Sequence, residues 1–164
     1  MKIAVVHNFL DNIGGAEMVT LQLAEHLKAD VYACVVDYTR IKAMGFDINV
    51  NTIGWIPRNP PLRQQMAYWR MRRLNLSGRY DFFIIAGDWA FAAAYHNKPN
   101  LWYIHSPARE LWDLYDYTRD RLVPFYGRPA FDAWVGYNRS LMKEALPHVT
   151  KLACNSRNTG ARQA

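Results

Sequence analysis

Gly14 and Gly15 stand side by side between a β-like stretch that ends near His7 and a helical pattern that begins near Ala16. A strand, a glycine turn and a helix start in that order can hold an anion. The first N–H groups of a helix lack intrahelical partners and carry its positive end. Glycine removes the Cβ that would keep a ligand away from them. The dinucleotide fingerprint G-x-G-x-x-G and the phosphate loop G-x-x-x-x-G-K-[ST] are both absent. The pair is therefore either an anion cradle or a tight turn needing positive φ. Glu17 falls in the first helical turn, where a carboxylate is stabilised by the helix end. His7 reads as a packing residue at the strand end.

Other chemistry-bearing side chains also follow apolar runs. His105 closes "LWYIH", which puts its ring at the end of a strand. It is either a ligand contact or a histidine hydrogen-bonded in a packed loop. Asp88 follows "FFIIAG" and either caps the next helix or binds a substrate hydroxyl. Arg109 and Asp113 are four apart. They form a solvated ion pair on a helix opened by Pro107, or Arg109 offers its planar fork to a phosphate or substrate oxygen. Trp112 is either core or a flat face for a ligand. The segment "LRQQMAYWRMRRL", Leu62 to Leu74, carries Arg63, Arg70, Arg72 and Arg73 among aromatic and methionine side chains. Its wheel is mixed, so it is either a solvated charged helix or a basic surface for anionic headgroups.

The elements that must position these residues alternate. Strands are predicted at Lys2–Val6, Asp30–Val36, Asp47–Ile53, Tyr80–Gly87, Asn100–Ser106 and Val149–Ser156, several of them near-continuous apolar runs, as in strands covered on both faces. The first helix places Val19, Leu23, Ala24 and Leu27 on one face. Pro60 and Pro61 open a second helix reaching about Leu76. Pro129 opens a third, to about Leu146, and Pro147 closes it. This alternation predicts an α/β fold with a doubly wound, parallel, Rossmann-like sheet. In such sheets ligands sit outside the carboxyl ends of the strands. The segment from Pro107 to Pro129, rich in Trp, Tyr, Asp and Arg, follows such an end.

The composition suits a globular chain: 164 residues, 51% hydrophobic, 21% charged and 14% aromatic. A net charge of +6 and a pI near 9.4 favour acidic partners without choosing among them. No recognisable nucleic-acid motif accompanies the arginines, so nucleic acid is not expected as a partner. Cys34 and Cys154 read as reduced, buried thiols without metal-ligand spacing. The chain enters a strand at once and its longest apolar region, Phe82 to Tyr95, is broken by Asp88. Neither a signal peptide nor a membrane span is expected, and the expected location is the cytoplasm.

Three stretches resemble one family. "IGGAEMVTLQLAEHL" (Ile13 to Leu27) resembles the first loop and helix of family 4 (group 1) glycosyltransferases. "LWYIHSPARELWDLY" (Leu101 to Tyr115) is similar to the H-x-P-x-R-x-x-W-D segment of one subgroup. "LACNSRNTGARQ" (Leu152 to Gln163) is similar to the N-S segment closing the family's first domain. The resemblance implies the N-terminal, acceptor-side half of a GT-B architecture. It implies metal-independent, cofactor-free, retaining transfer of a sugar from a nucleotide-sugar donor to a glycan or lipid-linked acceptor. On that resemblance Gly14 and Gly15 lie against the donor, His105 contacts donor sugar and acceptor, and Asp88 and Arg109 help bind substrate. His105 is not assigned as a base, because retention lets the leaving phosphate take that part. The family's second domain, with its paired glutamates, is expected to supply most donor contacts, and this chain alone is expected to be inactive. Peripheral contact with the inner face of a membrane would run through Arg70, Arg72 and Arg73. The competing expectation is a non-catalytic basic α/β module that binds an anionic ligand or protein partner.

Overall fold

The computed structural model describes residues 1–106 and 108–156. Pro107, expected to open a helix, and the N-S segment from residue 157 onward lie outside the described residues.

Six parallel strands form one sheet: β1 (Ile3–Leu10), β2 (Asp30–Val36), β3 (Val50–Thr52), β4 (Phe82–Ala86), β5 (Asn100–Ile104) and β6 (Lys151–Cys154). Their spatial order is β3-β2-β1-β4-β5-β6. The chain builds outward from β1 in one direction, then returns to its other side and builds outward again. This is the doubly wound Rossmann order expected from the sequence, and it opens a crevice where the direction reverses, between β1 and β4.

Alternation along β1 explains why both faces are covered. Ile3 and Val5 pack with Val31, Ala33 and Ile84 on one face, against Leu21 and Ala24 of helix α1 (Gly15–Leu27). Val6 points the other way, into a core with Ile85, Trp102 and Ile104. That second core takes Ala67, Tyr68 and Met71 from a later helix, Leu62–Arg73, and Val135, Leu141 and Met142 from Arg128–Ala145. The short helix α2 (Tyr38–Ala43) precedes β3, so Leu62–Arg73 is α3. Between β5 and the long last helix comes a run of short turns, including one α turn, α4 (Tyr115–Tyr117), which makes Arg128–Ala145 α5.

Three sequence expectations need correcting here. β1 runs four residues past Val6, to Leu10, because Phe9 and Leu10 resume the pairing with β2 at Val35 and Val36. β3 is three residues long rather than seven, since it is an edge strand that pairs only with β2. The buried face of α1 is Thr20, Leu21 and Ala24, while Val19 and Leu27 are exposed. Thr20 tolerates burial because its hydroxyl donates to the Ala16 carbonyl at 2.9 Å. Of the two thiols, Cys34 is buried as expected and Cys154 only partly so.

Candidate functional site

Because all six strands are parallel, the segments after β1, β4 and β5 emerge on one edge. A small polar pocket of about 90 Å³ lies there, at the reversal between β1 and β4. His7 and Asn8 of β1 line it, with Ala16 and Glu17 from the first turn of α1, Gly87 and Asp88 after β4, and His105 after β5. The structure thus brings together the loop after β1, Asp88 and His105. The walls on the α1 side are Ala16 and Glu17, and the exposed Gly14 and Gly15 lie just before them.

The glycine loop is not a uniform anion cradle. Gly14 is the N-cap residue, and its N–H donates to Glu17 Oε2 at 2.9 Å. That donor is therefore taken by a carboxylate of the same helix, the reciprocal half of a capping box. Gly15 differs. Its φ lies outside the positive region, and a Cβ built there meets nothing within 4 Å. The tight-turn explanation does not apply to either glycine, and Gly15 leaves open space beside the helix start. The loop is pinned from behind: Asp11 accepts from Arg63 of α3 at 2.6 Å, and the Arg63 guanidinium lies 4.1 Å above the Phe9 ring.

Asp88 does not cap a regular helix. The next element is a 3₁₀ segment, Ala90–Tyr95, with Trp89 in the cap position and no side-chain cap. The Asp88 carboxylate instead takes the backbone N–H groups of Asp88 and Trp89. Burial, reinforced by Glu110 and Glu17, pushes its pKa up to about 7 against those hydrogen bonds. Asp88 therefore changes charge near neutrality, which an ordinary aspartate does not. His105 is half-buried, packs edge-on to Tyr103 with centroids 4.6 Å apart, and is held below its usual pKa by burial, partly offset by Glu17.

His7 was expected to pack at a strand end. It is buried at 1% exposure, as packing requires, yet it sits within β1, paired across to Ala33 and Ala86, and its ring lines the pocket. Sequence reasoning missed it, with Asn8 and Gly87. The available signal was the pair His7-Asn8 interrupting an otherwise apolar strand.

Arg109 stands apart from this pocket. Its Nε and Nη2 donate to Asp113 Oδ2 at 3.2 and 3.1 Å, the solvated pair that the spacing allowed. It also lines a neighbouring groove of about 490 Å³, with Pro61, Leu114, Phe131 and Trp134. Glu110 lines the same groove and is felt electrostatically by Asp88. The groove wall after β5 is tied to α5: Arg139 donates to the Leu111 carbonyl at 2.8 Å, and Tyr115 and Arg119 both bond Asp132. Trp112 is exposed rather than core, with the Arg139 guanidinium 5.0 Å from its ring.

The arginines of α3 do not act alike. Arg72 donates to Tyr68 Oη at 2.8 Å and lies 4.3 Å over the Tyr95 ring, so it is used within the fold. Arg70 and Arg73 are exposed. No helix among the described residues is long and apolar enough to cross a membrane, and no described cluster of His, Cys, Asp and Glu could hold a metal ion.

A comparison with protein families matches residues 13–162 to the model described as Glycosyltransferase Family 4. Comparison with the curated proteins and with the solved structures gives no match.

Proposed function

The chain belongs to glycosyltransferase family 4, and from that premise we propose that it forms the acceptor-side half of a retaining enzyme that transfers a sugar from a nucleotide-sugar donor to a glycan or lipid-linked acceptor. The observation that carries the reading is the convergence of His105, Asp88 and the start of α1 on one pocket at the β1/β4 reversal. A Rossmann-order sheet receives its ligand at that place.

In this reading the open N–H groups beside Gly15 face the donor diphosphate, and His105 lines the centre where the sugar changes partners. Asp88 accepts a hydrogen bond from a substrate hydroxyl, which its partial ionisation near neutrality permits. The bond from the sugar's anomeric carbon to the leaving phosphate breaks, and a bond to the acceptor oxygen forms on the same face. The acceptor's proton passes to the departing phosphate oxygen. The chain's own contribution is positional and electrostatic. Arg109, in the groove beside the pocket, binds acceptor rather than donor. A second Rossmann-like domain completes the cleft and holds the nucleotide.

The test is an assay of nucleoside diphosphate release and product stereochemistry, run with a panel of nucleotide sugars. Residues 1–164 alone are expected to give no transfer above a His105→Ala control. The enzyme carrying both domains is expected to transfer with retention and to lose most of its rate on His105→Ala. Transfer insensitive to His105→Ala removes the assigned site, and an inverted product removes the assigned stereochemistry.

A further inference from the structure

The inner wall of the pocket holds a polar pair that the reading above leaves unused. The Phe9 N–H donates to His7 Nδ1 at 3.2 Å. A backbone N–H can only donate, so Nδ1 carries no proton. Burial drives the ring's pKa down to about 4 and keeps it neutral at pH 7. Its proton is therefore on Nε2. That nitrogen is buried, its ring lines the pocket, and no described residue hydrogen-bonds it. Buried donors left in this state are uncommon, and each calls for a specific explanation.

Glu17 Oε1 lies 4.0 Å from His7 Nε2, too far for a direct hydrogen bond. The other carboxylate oxygen is occupied by the Gly14 N–H. A ligand oxygen roughly 2.8 Å from both Nε2 and Oε1 would close the triangle. It must accept a hydrogen bond from His7 and donate one to Glu17. A hydroxyl does both. A diphosphate oxygen of a nucleotide sugar accepts but has no proton to give, and Glu17 and Asp88 repel any phosphate anion, inorganic phosphate included. An ammonium donates but cannot accept. Asn8, 5% exposed, adds a buried Oδ1 that no described residue hydrogen-bonds, an acceptor for a neighbouring hydroxyl. The pocket's volume of about 90 Å³ admits one edge of a sugar ring rather than a nucleotide.

We propose that His7 and Glu17, with Asn8 beside them, form a hydroxyl-binding subsite for one edge of a neutral pyranose. The subsite deepens the glycosyltransferase reading and rests on it for the presence of a sugar.

The experiment records histidine side-chain ¹H–¹⁵N spectra of the full chain while adding glucose, galactose, mannose or N-acetylglucosamine, with inorganic phosphate as the contrast. At least one pyranose should shift the His7 ring saturably and leave the exposed His26 unmoved, and phosphate should not shift His7. His7→Phe should weaken binding of that pyranose roughly tenfold, the effect of losing one hydrogen bond with a buried partner. His7→Gln, whose amide N–H can stand in for Nε2–H, should restore most of it. If His7→Phe does not fold, Asn8→Ala and the wild-type spectra carry the test. The subsite is overturned if no pyranose moves His7, if phosphate moves it equally, or if His7→Phe binds as tightly as wild type. Nucleoside diphosphate release by the two-domain enzyme separates the two readings. Sugar bound at His7 without any transfer removes the transfer reading and keeps the subsite. Transfer whose KM and kcat ignore His7→Phe removes the subsite and keeps the transfer.

Discussion

Replacing Asp88 with Asn should make the protein more stable at neutral pH, and the gain should vanish in acid. An aspartate's ordinary pKa is about 3.9, and burial with Glu110 and Glu17 nearby pushes this one to about 7. The folded state therefore holds a proton that the unfolded state has released, throughout the window between those values. Stability falls as pH rises through it, and the full penalty is present above about pH 7. Roughly three pH units at about 1.36 kcal/mol each set a ceiling near 4 kcal/mol. Asp88 keeps a partly open edge, and solvent screening there lowers the expectation to about 2–3 kcal/mol. Asn keeps an oxygen to accept the backbone N–H groups of Asp88 and Trp89 while removing the charge.

The assay is urea unfolding of wild type and Asp88→Asn at pH 4.5 and pH 8, taking the difference between the two proteins at each pH. Histidines and other carboxylates titrate in both chains, so their effects largely cancel. With a urea m-value of about 2 kcal/mol/M, the gap between midpoints should widen by about 1 M from acid to base. Parallel midpoints at both pH values would refute the reasoning. They would mean that the two backbone N–H groups outweigh burial and that Asp88 is an ordinary carboxylate.

Two glycine substitutions should have opposite signatures. Gly87→Ala should destabilise the fold by about 2–5 kcal/mol in urea, because φ there is +110° and the new Cβ would collide with the Asn8 side-chain oxygen; a loss under about 1 kcal/mol would contradict the local geometry. Gly15→Val should leave the urea midpoint nearly unchanged, since its Cβ enters open space, while donor affinity and transfer rate of the two-domain enzyme fall at least tenfold; normal transfer would show that no ligand approaches that backbone.

The fold was readable because its signals are redundant. Every observed strand overlaps a predicted one, and the parallel order follows from strands alternating with helical patterns. That His105, Asp88 and the glycine loop fall on one sheet edge was legible because each follows an apolar run, and parallel topology puts such positions together. Distances across the chain were not legible. Nothing local to Arg72 says that Tyr95, twenty-three residues away, will take its guanidinium; the Gly14–Glu17 bond, only three residues long, was readable as an N3 glutamate folding back on its cap. His7 was hidden for a different reason. A histidine and an asparagine after four apolar residues look like the end of a strand, yet β1 is central and continues. Its neighbours Ala33 and Ala86 are small, which leaves the ring room to sit inside the sheet edge.

These corrections change the electrostatic picture of the site. A net charge of +6 favours acidic partners for the chain as a whole, but the pocket wall carries Glu17 and Asp88, with Glu110 near enough to raise the Asp88 pKa. A diphosphate does not suit that interior. On the proposed reading it lies instead beside Gly15, which leaves open space next to the first N–H groups of α1, ahead of the helix's own hydrogen-bond ladder, which starts at Met18 bonding Gly14 at 3.0 Å. On the proposed reading one short segment serves two chemistries: helix-start donors for an anion, and carboxylates with a neutral histidine for hydroxyls. Glu17 joins them: its Oε2 accepts from the Gly14 N–H at 2.9 Å and its Oε1 lies 4.0 Å from His7 Nε2. Removing the side chain by Glu17→Ala would free the Gly14 N–H and take away the carboxylate beside His7, so the two halves of a sugar–phosphate ligand should respond in opposite directions.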